Sequence, residues 1–122
     1  MGRFAHLRYA PTNAGSGFSE IGNAAYGGND ANDNSGVLKY IRLEYTGFAL
    51  DDEHESNGIS FYGVGAGTQV SYVQTYVGAD DGLEFFGGTV NVDHCVVVDC
   101  TDDSFDWTEG WSGTATNLWL TR

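Results

Sequence analysis

With 122 residues the chain has material for one modest core, and 41% hydrophobic and 14% aromatic residues exclude a disordered polymer. A formal net charge of −12, with fourteen carboxylates and no Lys or Arg between Arg42 and Arg122, excludes a nucleic-acid binder that works by neutralising phosphates. No stretch reaches the ~18 apolar residues of a membrane helix, so no membrane insertion is expected, and no basic region followed by an apolar run marks an export signal.

The chain reads as one domain over residues 1–122, with an N-terminal strand and cap over 1–36 and stacked coils over 37–122. Residues 4–9, Phe-Ala-His-Leu-Arg-Tyr, have the composition of a short strand. From Pro11 to Gly36 the chain turns to Gly, Asn, Ser and Asp, the composition of a long loop or cap. Its tail, Asp30-Ala31-Asn32-Asp33-Asn34, spaces side-chain oxygens closely but lacks the Gly and distal Glu of an EF-hand, which favours turn chemistry over a calcium loop.

From Val37 onward the pattern repeats. Ile41, Leu43 and Tyr45 alternate with Tyr40, Arg42 and Glu44, the period-two signature of a strand with one buried face. The same template fits Val73, Thr75 and Val77, then Cys95 and Val97, then Leu118 and Leu120. Steps between first positions are 32, 22 and 23 residues, and the long first step accommodates the insertion Phe48–Ser56. Between these strands runs a second family: Ile59 and Phe61, Leu83 and Phe85, Phe105 and Trp107.

Units of about this length that cannot bury an apolar face alone mark a solenoid. The spacing therefore predicts an all-β parallel β-helix of about three to four coils with an irregular N-terminal cap, in which equivalent positions stack at roughly 4.8 Å. Ile41, Val73, Cys95 and Leu118 form one expected internal ladder, and Leu43, Thr75, Val97 and Leu120 another. Phe61, Phe85 and Trp107 are expected to stack inside the second sheet. An antiparallel sandwich explains the alternation but not the repetition of turn sequences.

The most regular repeat is acidic. Asp80-Asp81-Gly82-Leu83-Glu84-Phe85 returns 22 residues later as Asp102-Asp103-Ser104-Phe105-Asp106-Trp107, with acid, acid, tiny, apolar, acid and aromatic in the same order. Parallel stacking would place Asp80 on Asp102, Asp81 on Asp103 and Glu84 on Asp106. Six carboxylates on adjacent turns repel unless neutralised, and Ca²⁺ accepts six to eight oxygens at flexible geometry. The six are the candidate metal ligands, with Asp81, Asp103 and Asp106 the best placed. The same residues could instead cap turns through backbone N–H groups, as Asn57 would in the preceding unit.

Gly27-Gly28-Asn29-Asp30, Asn34 to Tyr45, Ala79 to Gly88 and Asp102 to Trp107 together resemble a family of bacterial secreted or surface proteins. The resemblance implies a right-handed parallel β-helix and an extracellular or cell-surface origin, and it implies no particular activity.

Trp111, Tyr62 and Phe86 beside the acids are candidate glycan-binding residues, which makes a glycan the second expected ligand. The reading at this point is a non-catalytic binding or structural module for Ca²⁺, glycan or both. The alternatives are a polysaccharide-active enzyme and a pure self-assembly module. Asp-Asp-Gly-Leu-Glu-Phe is similar to turns in a pectate lyase group, but a lyase needs a Lys or Arg near its acids, and Lys39 and Arg42 belong to other strands. A glycosidase needs only two carboxylates at a set separation. His6, His54 and His94 fall in different elements and form no nucleophile pair, and Cys95 and Cys100 are expected as buried free thiols. The final segment, Asn117 to Arg122, has the pattern of another coil's first strand, so self-association through that end is expected. A strictly monomeric solution mass, with that strand ordered, would contradict it.

Overall fold

The computed structural model describes residues 16–51 and 54–122. The strand expected at 4–9 lies outside the described residues. Two short hairpins and two parallel sheets account for the strands. β1 (Ser16–Phe18) and β2 (Ala25–Gly27) pair antiparallel. β3 (Val37–Glu44) begins the larger sheet, and β4 (Phe48–Asp51) and β5 (His54–Ser56) form a second antiparallel hairpin from the inserted segment. β6 (Ile59–Tyr62), β7 (Gln69–Tyr76), β8 (Leu83–Phe86), β9 (Asn91–Val98) and β10 (Phe105–Thr108) then alternate between the two parallel sheets. β11 (Ala115–Thr116) and β12 (Trp119–Thr121) both pair with β9. No helix among the described residues is long and apolar enough to cross a membrane.

Register follows the repeat. Ile41 pairs with Val73 and Val73 with Cys95, while Leu43, Thr75, Val97 and Leu120 continue the neighbouring rank. In the smaller sheet Ile59, Leu83 and Phe105 are level, as are Phe61, Phe85 and Trp107. Val73, Thr75, Leu83, Phe85, Val90, Val92, Cys95 and Val97 are all under 2% exposed, so the core lies between the inner faces of the two sheets. Cys95 and Cys100 are buried free thiols. Leu120 departs from the pattern: it keeps its register on Val97 but is 53% exposed.

Corners form where the backbone turns left-handed. Tyr40, Tyr72, His94 and Asn117 share φ values of 52–56°, and Tyr45, Val77 and Asp99 share 52–55°. Left-handed backbone is strained for a β-branched residue such as Val77, so its recurrence at one level of successive strands shows the stacked ladder imposing the conformation. The first corner sets its rings in a column, with Tyr40 on Tyr72 at 5.0 Å and Tyr72 on His94 at 4.8 Å. The small residue of the acidic repeat has a packing cause. A Cβ on Gly82 would stand 2.5 Å from Val97 Cγ1 and 2.6 Å from the Ser104 carbonyl.

One aromatic assignment differs from expectation. Phe61 and Phe85 stack at 5.0 Å and 8°, but the ring on the far side of Phe85 belongs to Trp111, at 4.5 Å and 22°. Trp107 keeps its backbone register, is 48% exposed, and leans on Trp111 at 49°. The Trp111 indole fits there because its Nε1 donates to the Val90 carbonyl at 3.1 Å, which satisfies its polar atom inside the packing.

Candidate metal centre on the acidic edge

Strand alternation sends Leu83 and Phe85 inward and Glu84 and Phe86 to the other face of β8. That face is also covered, so all four residues are buried. Its cover includes the turn after β1: the Glu20 amide donates to the Tyr62 hydroxyl at 3.3 Å, and Tyr26 of β2 packs on Tyr62 at 5.1 Å. Tyr62 stacks in turn on Phe86 at 4.5 Å. Asp80, Asp81 and Glu84 are buried on this side, and Asp80 and Glu84 feel the charge of Glu20 from the hairpin turn.

Five of the six expected ligands come together. Asp80, Asp81 and Asp102 form one group and Asp81, Glu84 and Asp106 another, with one carboxylate oxygen per residue lying within 4.8 Å of the others in its group. Asp81 belongs to both. Asp103 belongs to neither group, and enters through its backbone, whose N–H donates to Asp81 Oδ1 at 2.8 Å. Asp81 thus caps the turn of the following level as well as belonging to both carboxylate groups. Asp106 Oδ1 accepts from the N–H of Trp107 at 2.8 Å.

Asn57 occupies the turn position one level earlier and closes the cluster from that side. Its Nδ2 donates to Glu84 Oε2 at 2.6 Å and to Ser60 Oγ at 2.9 Å. Its Oδ1 is buried without a hydrogen-bond partner, as is Oε2 of Glu20. Buried orphan oxygens are uncommon and call for a proton, an ion or a water.

Burial dominates the electrostatics. It pushes Glu84 up to about 9, with Glu20 and Asp81 adding to the effect and the Asn57 hydrogen bond opposing it. Asp81 rises to about 7 through burial, against the hydrogen bond from Asp103. Glu20 rises to about 7 through burial and the charges of Asp80 and Glu55, with His54 opposing, and Asp80 rises to about 6 through burial and Glu55. Asp106 is also raised, by burial first. Two unit charges 4.8 Å apart repel by about 3.5 kcal/mol at an effective dielectric of ~20, so the cluster cannot hold all its charges without protons or a cation.

Arg122 comes near the edge but contacts its backbone, not a carboxylate. The Arg122 guanidinium donates to the backbone carbonyl of Asp102, because the strand ending at Thr121 is level with Val98. Glu20 is the other residue that repeat reasoning missed, since it lies outside the repeat. Of the expected glycan contacts, Phe86 is buried against Tyr62 and Trp111 is half-buried on Phe85. Tyr62 is half-buried between Tyr26 and Phe86.

No curated protein and no solved structure matches the chain. A family model does, that of the pectate-lyase-like β-helix domain, over residues 4–122. The parallel sheets, the stacked register and that match across nearly the whole sequence lead to one conclusion: the chain belongs to the pectate-lyase-like β-helix domain family.

Proposed function

We propose that this β-helix domain binds a hard divalent cation, Ca²⁺, on its acidic edge and works as a binding module. One observation carries the reading: carboxylates from successive levels converge, the cap adds the charge of a further carboxylate, Glu20, and Asn57, which bonds Glu84, has its Oδ1 buried without a partner. The donor set fits the ion. It consists only of oxygens, it is anionic, and it draws on several chain segments, as the six to eight oxygens of calcium coordination require. Asp81 and Asp106 would hold the ion together with Glu84, and Asp80 and Asp102 extend the site along the edge. A bound divalent ion would favour the ionised form of each carboxylate and release protons near neutral pH.

Calorimetric titration with CaCl₂ near neutral pH tests this. The expected result is saturable heat whose magnitude changes with the buffer's ionisation enthalpy, because protons leave the cluster as the ion enters. An Asp81→Asn, Asp106→Asn variant should lose the heat yet remain folded, since an amide oxygen can still accept from the Asp103 and Trp107 N–H groups that the two carboxylates accept from. Absence of saturable heat in the wild type, or full heat in the variant, would refute the site.

A further inference from the structure

On the cap side of Tyr62, β2, the loop that follows it and the end of β6 enclose a cleft of about 400 Å³. No member of the two carboxylate groups lines it. Its volume lies within the range of small-molecule sites, about 300–1,000 Å³. Its lining combines Tyr26, Tyr62 and Val64 with the polar Asn29, Asp30, Asp33 and Ser35, and three glycines lie between them.

The loop wall is fixed in place. Asp33 N–H donates to Asp30 O at 3.1 Å, Ala66 N–H to Ala31 O at 2.9 Å, and Gly67 N–H to Asp33 O at 3.1 Å. Thr68 Oγ1 accepts from the Ser35 amide at 2.9 Å, and Thr89 Oγ1 donates to the Ala31 carbonyl. A Cβ on Gly65 would stand 2.5 Å from the backbone nitrogen of Asp33, so the approach is as close as a backbone permits. A wall held this way loses little entropy when it binds something.

Lining chemistry selects the ligand. Asp33 repels anions, and none of the described lining residues is Lys or Arg, which disfavours uronates and phosphates. An organic cation needs an open aromatic face. Tyr62 is covered by Tyr26 and Phe86, and the phenol of Tyr26 is packed against Gly17. What remains is a dense mixture of hydroxyl, amide, carboxylate and backbone groups, which matches a ligand whose every polar group both donates and accepts.

We infer that the cleft between the N-terminal hairpin and β6 is a binding site for a neutral saccharide, held by hydrogen bonds to Asn29, Asp33 and Ser35 and separate from the cation site. The sugar hydroxyls donate to Asp33 and to Ser35 Oγ, whose own hydrogen goes to Asp33 Oδ2 at 2.8 Å, and accept from Asn29. This site does not depend on Ca²⁺, so it stands or falls apart from the acidic edge.

The test is ligand-observed NMR and calorimetry on the full chain in EDTA, with cellobiose, maltose, lactose, digalacturonate and choline as probes. At least one neutral disaccharide is expected to bind, and digalacturonate and choline are not. Asn29 is exposed, so its substitution spares the fold. Asn29→Ala should weaken binding about tenfold, in line with a lost pair of hydrogen bonds, and Asn29→Trp should block the cleft, both at unchanged melting temperature. Failure of every neutral probe at millimolar concentration, tighter binding of digalacturonate or choline, or binding untouched by Asn29→Trp would overturn the inference.

Discussion

Phe85→Ala is expected to lower the unfolding free energy by about 3–5 kcal/mol. The ring is 1% exposed and lies between two aromatic neighbours, Phe61 at 5.0 Å and Trp111 at 4.5 Å. Its removal deletes the middle of the column that joins three levels of the smaller sheet, and the hydrogen-bonded strands on either side cannot close the space. A domain of this size has about 5–15 kcal/mol in total, so the variant should melt about 10–20 °C lower. Trp107→Ala, at the same register but half exposed, should cost about 1 kcal/mol or less. Chemical denaturation of the two variants measures the contrast. Equal losses would mean that Trp107, not Trp111, completes the column.

That contrast also marks where the sequence could be read and where it could not. Repeats of 22 residues transmit register directly, so the ranks Ile41–Val73–Cys95 and Leu43–Thr75–Val97 were legible from spacing alone. The outer column of Tyr40, Tyr72 and His94 follows the same spacing, since each stands at the same corner of its strand. Spacing assigns backbone position, however, and not the direction of a large ring. Trp107 inherits the level of Phe85, yet Trp111, which has no counterpart in the repeat, supplies the indole that packs there.

The candidate site divides in the same way. The convergence of Asp80, Asp81, Glu84, Asp102 and Asp106 follows from the repeat. The burial of Asp80, Asp81 and Glu84 does not, because the cover includes β1–β2 and the turn between them, where the composition shows only turn residues and no period. Glu20, which faces the cluster from that cover, had no sequence signal beyond being an acid in a Gly- and Ser-rich stretch. Arg122 reached Asp102 through register that became visible only once β12 was placed on β9.

The second large effect is a fall in stability as pH rises, in the absence of divalent cations. Glu84, Asp81, Glu20 and Asp80 carry folded-state values of about 9, 7, 7 and 6, all above their ordinary values of 3.8–4.5. The folded protein therefore binds more protons than the unfolded chain between those limits, and stability present below about pH 4 is lost progressively as pH climbs toward the folded values. Asp93 acts in the opposite sense. Hydrogen bonds from Asn117 and Thr116 and its contact with His94 lower it to about 2, so its contribution disappears only as pH falls below about 4, outside the window that matters here.

A cation on the edge replaces those protons, and its stabilisation grows as the carboxylates ionise, reaching about 2.7 kcal/mol at a hundred times the dissociation constant. The two effects should cross near neutrality. Glu84→Gln should flatten the cation-free profile, since a neutral amide can keep company with Asn57 at every pH.

The most direct measurement is the melting temperature from about pH 5 to about pH 9, recorded once in EDTA and once in millimolar Ca²⁺. The buried acidic edge predicts a fall on the order of 10 °C across that range in EDTA, and a curve in Ca²⁺ that separates upward above about pH 6. A melting temperature that stays level or rises with pH in EDTA, or two superimposable curves, would contradict it.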